Sequence, residues 1–533
     1  MVVPEQRPWR VAGPHVRRIA NAVRPRLARA ATAAKPRIAR LTKAVRPELA
    51  HLPRRRTVRT WQYTAGAATA GLALAAAVVT ATGPWDANGQ RTAERDRATA
   101  LERSGGADHG DSGTSAQTPQ AAPSAAAVLA GLGGTTGTVT TKKAPPGRQA
   151  LTDVLGPLLD VPALGSGRGA AVVDVTTGTR LYAAGADQAL TPASTTKIAT
   201  AVAALSALGS DHRFTTRAAL EPDTGELILT GGGDPTLTAR RDAGDWASLR
   251  TLAADTAATL AKRGTHKITL SYDTTLFSGP ALHPIGVNDN LAPVSALTAD
   301  EGRTDDSTSG PAARVTDPAA DAARKFAGFL HDAGIETTPP GPSKATSRAE
   351  TLATVSSPTL ATLVERMLTN SDNDIAETLA RQTALASGEA GSFTGGAKAI
   401  ATQLRKLGLP LSGTSFHDGS GLDRDDRLTA NLLTALLVKA GDPARPGLRP
   451  VLTGLPVAGF TGTLTDRYTH GAAGVVRAKT GTLTGVNTLA GTAVDRDGHL
   501  LAFAFMASGT TSAQEAQSAL DETATVLAGC GCG

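Results

Sequence analysis

The chain has 533 residues, 41% of them hydrophobic and only 3% aromatic, which suits one large or two to three ordinary domains with a sizeable core plus poorly packed segments. Its formal net charge of +7 is unevenly held, because residues 1–62 carry sixteen Arg and Lys against Glu5 and Glu48, which leaves the remainder net acidic. The only cysteines, Cys530 and Cys532 in the closing "AGCGCG", exclude a disulfide framework across the fold; such a Cys-x-Cys pair could close a strained ring or hold a metal with outside help, but it reads first as a frayed tail at 529–533.

Residues 1–62 form a basic tail with an eleven-residue repeat, "RPRLAR" from Arg24, "KPRIAR" from Lys35 and "RPELAH" from Arg46. Proline recurs in register at Pro25, Pro36 and Pro47, which favours short helical pieces over one long helix. Attraction to anionic lipid headgroups is the simplest role for this tail, and without base-reading or stacking groups no nucleic-acid partner is expected. Residues 63–84 enclose twenty consecutive uncharged residues, "TAGAATAGLALAAAVVTATG", long enough for a transmembrane helix, with Trp61, Tyr63 and Trp85 where interfacial aromatics belong. The basic flank precedes this span, so the positive-inside rule places the N-terminus in the cytoplasm and the rest outside. The alternative is a signal peptide cut near Ala81, with secretion of the remainder. Residues 85–148, rich in Gly, Ser, Thr, Pro and Ala, read as a disordered linker.

Folded sequence begins near residue 149. "TDVLGPLLDVPAL" has helical spacing, and "GAAVVDVTTGTRLYAAG" reads as two strands around a turn. "STTKIATAVAALSALG" then places Ser194 and Lys197 on one face at the start of an apolar helix, where an amine can approach a hydroxyl that needs a base. Strand patterns in "RFTTRAALEPDTGELILTGGGDP" and "HKITLSYDTTLF", with helical "DWASLRTLAADTAATLAKRG" and "PAADAARKFAGFLHDAGI", fill a long interval before the next motif. That motif is Ser371-Asp372-Asn373 in a polar break between helices, where Ser371 could relay a proton and Asn373 could hold a substrate amide. Lys479-Thr480-Gly481-Thr482 ends a strand-like run, where a lysine can offer charge and two threonines can hydrogen-bond a carboxylate. Each motif alone has an ordinary structural reading as a helix start, a capping cluster and a hairpin. Asp234 in "GGGDP" and His417 in "FHDGSG" read first as turn residues.

Together, Ser-x-x-Lys, Ser-Asp-Asn and Lys-Thr-Gly in this order are the signature of penicillin-binding proteins and class A β-lactamases. With "LTGGGDPTL", "HDGSGLDRDDRLT" and "LPVAGFTGTLTDRY", the chain resembles the class C low-molecular-mass penicillin-binding proteins, the D-alanyl-D-alanine carboxypeptidases/endopeptidases of peptidase family S13, over roughly 151–528. The resemblance implies an α+β penicillin-binding/serine β-lactamase-like transpeptidase fold in two pieces, 149–215 and 341–528, around an inserted domain at 216–340. It also implies acyl transfer from the penultimate D-Ala of a peptidoglycan stem peptide, with Ser194 as nucleophile and Lys197 as acylation base. Ser371 and Lys479 would complete the proton relay, the Ser194 and Thr482 N–H groups would form the oxyanion hole, and Asn373, Thr480, Gly481 and Thr482 would bind substrate. β-Lactams are the implied covalent inhibitors, and no metal or cofactor is required. A β-lactamase is the nearest rival, but no Glu-x-x-x-Asn occurs anywhere in the chain. A catalytically inactive, membrane-tethered wall-binding scaffold is the rival of another class, and the intact motifs argue against it.

Overall fold

A computed structural model of the protein describes residues 147–468 and 471–531. The basic repeat, the apolar span at 63–84 and the linker up to residue 146 therefore lie outside the described residues. Among the described residues no helix is long and apolar enough to cross a membrane.

Helix α1 (Arg148–Leu159) leads into the hairpin β1 (Gly167–Asp174) and β2 (Arg180–Ala184), and α2 (Thr196–Leu208) follows. The chain then builds β3 (Thr215–Leu220), β4 (Leu227–Thr230), α3 (Leu249–Lys262), β5 (Lys267–Ile268), β6 (Leu270–Asp273), α4 (Pro318–Asp332), β7 (Glu336–Thr337), β8 (Gly341–Pro342) and β9 (Glu350–Ser356). It returns through α5 (Leu360–Asn370), α6 (Asn373–Ala386), α7 (Phe393–Lys406), α8 (Ala430–Gly441), α9 (Pro450–Thr453), β10 (Val476–Leu483), β11 (Val486–Val494), β12 (Leu500–Ser508) and α10 (Ala513–Gly529).

Strands from both ends of this path close one antiparallel five-stranded sheet, in the order β10-β11-β12-β1-β2. The inner strands β11 and β12 are almost continuously buried, as strands must be when helices cover both faces. On one face Ala490, Ala502, Ala504 and Met506 pack against α2, α5, α6, α7 and α8. On the other, Leu489, Leu501, Phe503 and Phe505 pack against α1 and α10. Helix α2 is buried on every side from Thr196 to Leu205, which explains why its Ala-rich sequence shows little amphipathic contrast.

The inserted segment has its own sheet, β8-β6-β4-β3-β9, in which β3 runs antiparallel to β4 and β9 while β4, β6 and β8 are parallel. Leu252, Leu260, Phe326 and Leu330 of α3 and α4 bury against it. Strand β9 pairs with β3 from Thr215↔Ser356 to Leu220↔Glu350, so this sheet extends past the boundary at 340 drawn from sequence. Every residue of β9 is exposed or half-buried, which leaves no apolar alternation to read. A second difference lies at the C-terminus: Cys530 is buried against the α1 and α10 face and is disulfide-bonded, not part of a frayed end.

Candidate active site

Ser194 occupies a single 3-10 turn, Ala193–Thr195, that opens directly into α2. One turn on, Lys197 is wholly buried, with its Nζ 3.0 Å from Ser194 Oγ, 2.6 Å from Asn373 Oδ1 and 2.7 Å from the Ser420 carbonyl oxygen. The Asn373 amide is oriented by its Nδ2, which donates to the Asn290 carbonyl at 3.0 Å, so Oδ1 faces the lysine. Asn373 Oδ1 and the Ser420 carbonyl can only accept. A neutral Lys197 amine must therefore give both of its N–H groups to them, which leaves its lone pair for the Ser194 hydroxyl. Burial pulls the Lys197 pKa down to about 8, against the opposing charges of Asp418, Glu377, Asp372 and Asp374.

The second hydroxyl is placed by a break between helices. Ser371 ends α5 in the left-handed region at φ 58° and ψ 39°, and Asp372 caps α6 by accepting from the Ile375 N–H. Ser371 Oγ accepts from Lys479 Nζ at 2.8 Å, and the same amine donates to the Thr480 carbonyl at 2.8 Å. Lys479 lies on β10, where Val476 and Ala478 point into the α1 and α10 face, so strand alternation sends Lys479 and Gly481 toward α2 and α5. Its pKa is held well below the ordinary lysine value by burial, then by the charges of Lys197 and Arg467.

Gly481 is required where β10 crosses the Ser194 turn, since a Cβ there would lie 2.1 Å from Thr488 Oγ1 and 2.7 Å from the Pro192 carbonyl oxygen. Thr480 is half-buried with its hydroxyl donating to Thr463 Oγ1 at 3.1 Å, and Thr482 is exposed beside it. The structure thus brings the five side chains together as two hydrogen-bonded groups, Ser194–Lys197–Asn373 and Ser371–Lys479, close enough for the two lysine charges to interact, with Thr480 to Thr482 along the free edge of the sheet.

Sequence reading missed a buried layer behind this cluster. Glu377 on α6 accepts from the Gly419 N–H at 3.1 Å and the Ser420 N–H at 2.8 Å. Asp418 accepts from the Gly421 and Asp423 N–H groups, both at 2.7 Å, and lies 3.1 Å from His283 Nε2. These three side chains come close enough together to suggest a cation site, as do Glu301, Asp372 and Asp374. In the first group the carboxylate oxygens are already taken by N–H donors, and in the second Arg303 and Arg314 supply the positive charge. The available signal was an acid one helix turn beyond Asn373; the residue singled out in "FHDGSG" was instead His417, which is exposed. Asp234 is a turn residue here, accepting from the Thr236 N–H and hydroxyl at 2.8 Å each.

The sequence matches the D-Ala-D-Ala carboxypeptidase 3 (S13) family over residues 151–313 and 305–528. It is 37% identical over 405 residues to carboxypeptidase DacB of Mycolicibacterium smegmatis, covering 73% of this chain and 86% of that protein. It is 30% identical over 447 residues to a D-alanyl-D-alanine carboxypeptidase of Actinomadura sp. strain R39, covering 67% and 81% respectively. The crystal structure of penicillin binding protein 4 from Haemophilus influenzae shares the fold, with a TM-score of 0.58 at 23% identity over 71% of this chain and 98% of that one.

Proposed function

The chain belongs to the D-Ala-D-Ala carboxypeptidase 3 (S13) family, and on that premise we propose that Ser194 removes the terminal D-Ala from peptidoglycan stem peptides through an acyl-enzyme. The observation that carries this reading is the Lys197 amine, wholly buried and bonded to two obligate acceptors, with the Ser194 hydroxyl as its third neighbour.

In the proposed reaction Ser194 Oγ attacks the carbonyl carbon of the penultimate D-Ala while its proton passes to Lys197 Nζ. The Ser194 and Thr482 backbone N–H groups receive the oxyanion. Collapse breaks the peptide bond, and the departing D-Ala amine takes a proton through Ser371, which is tied to Lys479. Water then hydrolyses the ester. Lys479, Thr480 and Thr482 attract the substrate's terminal carboxylate, Asn373 holds the amide before the scissile bond, and Gly481 lets that strand approach the nucleophile. A cross-linked peptide presents the same D-Ala carbonyl with a larger leaving group, so endopeptidase cleavage follows from the same chemistry. A penicillin acylates the same hydroxyl and deacylates slowly.

The substrate lies outside the membrane. An anchor at 63–84, with the basic tail of 1–62 against anionic lipid inside, would deliver the catalytic part to it, and signal cleavage near Ala81 would do so by secretion. The test is intact-protein mass after incubation of the chain with benzylpenicillin, beside Ser194→Ala. One lasting penicillin adduct, absent in the variant, is the expected result. Rapid turnover without an adduct would point to a β-lactamase, and no reaction to a binding scaffold.

A further inference from the structure

Lys197 is oriented by one backbone carbonyl, and that carbonyl belongs to a turn held from two directions. The peptide group carrying the Ser420 C=O also carries the Gly421 N–H, which donates to Asp418 Oδ1 at 2.7 Å. In a trans peptide these two groups point opposite ways, so fixing the N–H on Asp418 aims the carbonyl at Lys197 Nζ, 2.7 Å away. The preceding N–H groups, of Gly419 and Ser420, are both tied to Glu377. Asp418 is oriented in turn by His283, a residue of the inserted segment. The His283 Nδ1 accepts from the Ile285 N–H at 3.2 Å, so its Nε2 carries the hydrogen and donates to Asp418 at 3.1 Å. Its ring is wedged edge-on against Phe393 of α7, with centroids 5.0 Å apart. Glu377, Asp418, Ser420 and His283 are all at least 98% buried, so water does not substitute for any of these bonds.

We propose that Glu377 and His283 are positioning residues of the acylation step, clamping the Asp418–Gly421 turn so that the Ser420 carbonyl holds the Lys197 amine with its lone pair toward Ser194. The proposal rests on the reading of Ser194 as nucleophile. It gives the inserted segment a part in preparing the base, because His283 reaches Lys197 through Asp418 and Ser420 without touching substrate. The charged groups facing Lys197 are Asp418, Glu377, Asp372 and Asp374, with Lys479 across the site. Removing the Glu377 carboxylate takes away one of the charges that raise the Lys197 pKa, so the amine then loses its proton at lower pH.

The experiment measures the second-order rate of benzylpenicillin acylation from pH 5.5 to 9.5 in the full chain, with the melting temperature beside it, for wild type, His283→Ala, His283→Gln and Glu377→Gln. His283→Ala is expected to acylate roughly 10- to 100-fold more slowly, the range typical of losing an orienting partner behind a reacting group. His283→Gln keeps a donor for Asp418 and should recover most of that rate. Glu377→Gln should both slow acylation and move the acid limb of the profile to lower pH. The proposal is overturned if His283→Ala acylates like wild type, or if the Ala and Gln variants slow equally while the Glu377→Gln limb stays in place. A wild type that forms no adduct would overturn the nucleophile reading itself, a distinct outcome.

Discussion

Gly421 stands against the Ser194 turn so closely that a Cβ built on it would lie 1.9 Å from the carbonyl oxygen of Ala193, the residue before Ser194. Its φ of +82° is also one that L side chains rarely adopt, and Ala193 itself sits at φ +48°. The turn that orients Lys197 and the turn that presents Ser194 are thus packed backbone to backbone. Gly421→Ala should cost about 2–5 kcal/mol from the positive φ and the overlap together, and should slow penicillin labelling beyond what the lost stability explains. Urea denaturation alongside labelling at a temperature where the variant stays folded decides this. A variant as stable as wild type would show that the two turns can separate freely.

The Lys197 environment predicts a pH profile with a definite sign. The amine must be neutral to take the Ser194 proton, and its pKa is lowered to about 8, chiefly by burial. Acylation should therefore climb as pH rises through 8, with the rate at pH 6 roughly one hundredth of the plateau. Lys197→Arg keeps a charged side chain that does not deprotonate in this range and should form no adduct at any pH tested. Single-turnover labelling with benzylpenicillin from pH 5.5 to 9.5 measures both, and a flat profile would remove Lys197 from the role of base.

Arg314 couples the inserted segment to the Ser-Asp-Asn helix. Its Nη2 lies 2.9 Å from Asp374 Oδ2, its Nη1 donates to the Glu301 carbonyl at 2.6 Å, and both side chains of the ion pair are about nine-tenths buried or more. Burial raises the Asp374 pKa to about 7, and Arg314 is the main group that holds it down. Arg314→Met should destabilise the protein by about 3–5 kcal/mol, because it strands an acid in the interior. The loss should grow with pH, as Asp374 without its partner must stay protonated to remain buried. Chemical denaturation at pH 6 and pH 8 tests this, and an equal, small loss at both would mean that the pair contributes little to docking.

The candidate site side chains were legible in the sequence because the proposed chemistry fixes their spacing: Lys197 follows Ser194 by three positions, about one helix turn, and strand alternation aims Lys479. The inner strands and most helices were legible from apolar pattern. The layer behind the site was not. Glu377 lies 42 and 43 residues from the Gly419 and Ser420 amides it holds, and His283 lies 135 residues from Asp418, and no side-chain periodicity records pairings so distant. Strand β9 was invisible for a different reason, since it is held by the ladder with β3 while its apolar residues Leu352, Ala353 and Val355 are only half-buried and show no clean alternation. Cys530 shows the limit of composition, because a Gly-Cys tail carries no sign that it will be buried beneath α10.

Asp234 offers a test of burial away from the reacting groups. The side chain is 2% exposed, Oδ1 accepts twice from Thr236, and Oδ2 has no hydrogen-bond partner among the described residues. Burial raises its pKa from 3.8 to about 6, with the two Thr236 bonds opposing. The folded value thus lies above the unfolded one, so the native state binds more protons between about pH 4 and pH 6. Stability from this group is full below that window and is lost as pH rises through it, by roughly 2–3 kcal/mol. Asp234→Asn keeps the Oδ1 acceptor and removes the titration. Subtracting the variant's urea midpoints from those of wild type across pH 4 to 7.5 isolates this one group from all others. The difference should turn against wild type as pH rises and level off above pH 7, and parallel curves would mean that Asp234 is solvated in the native state.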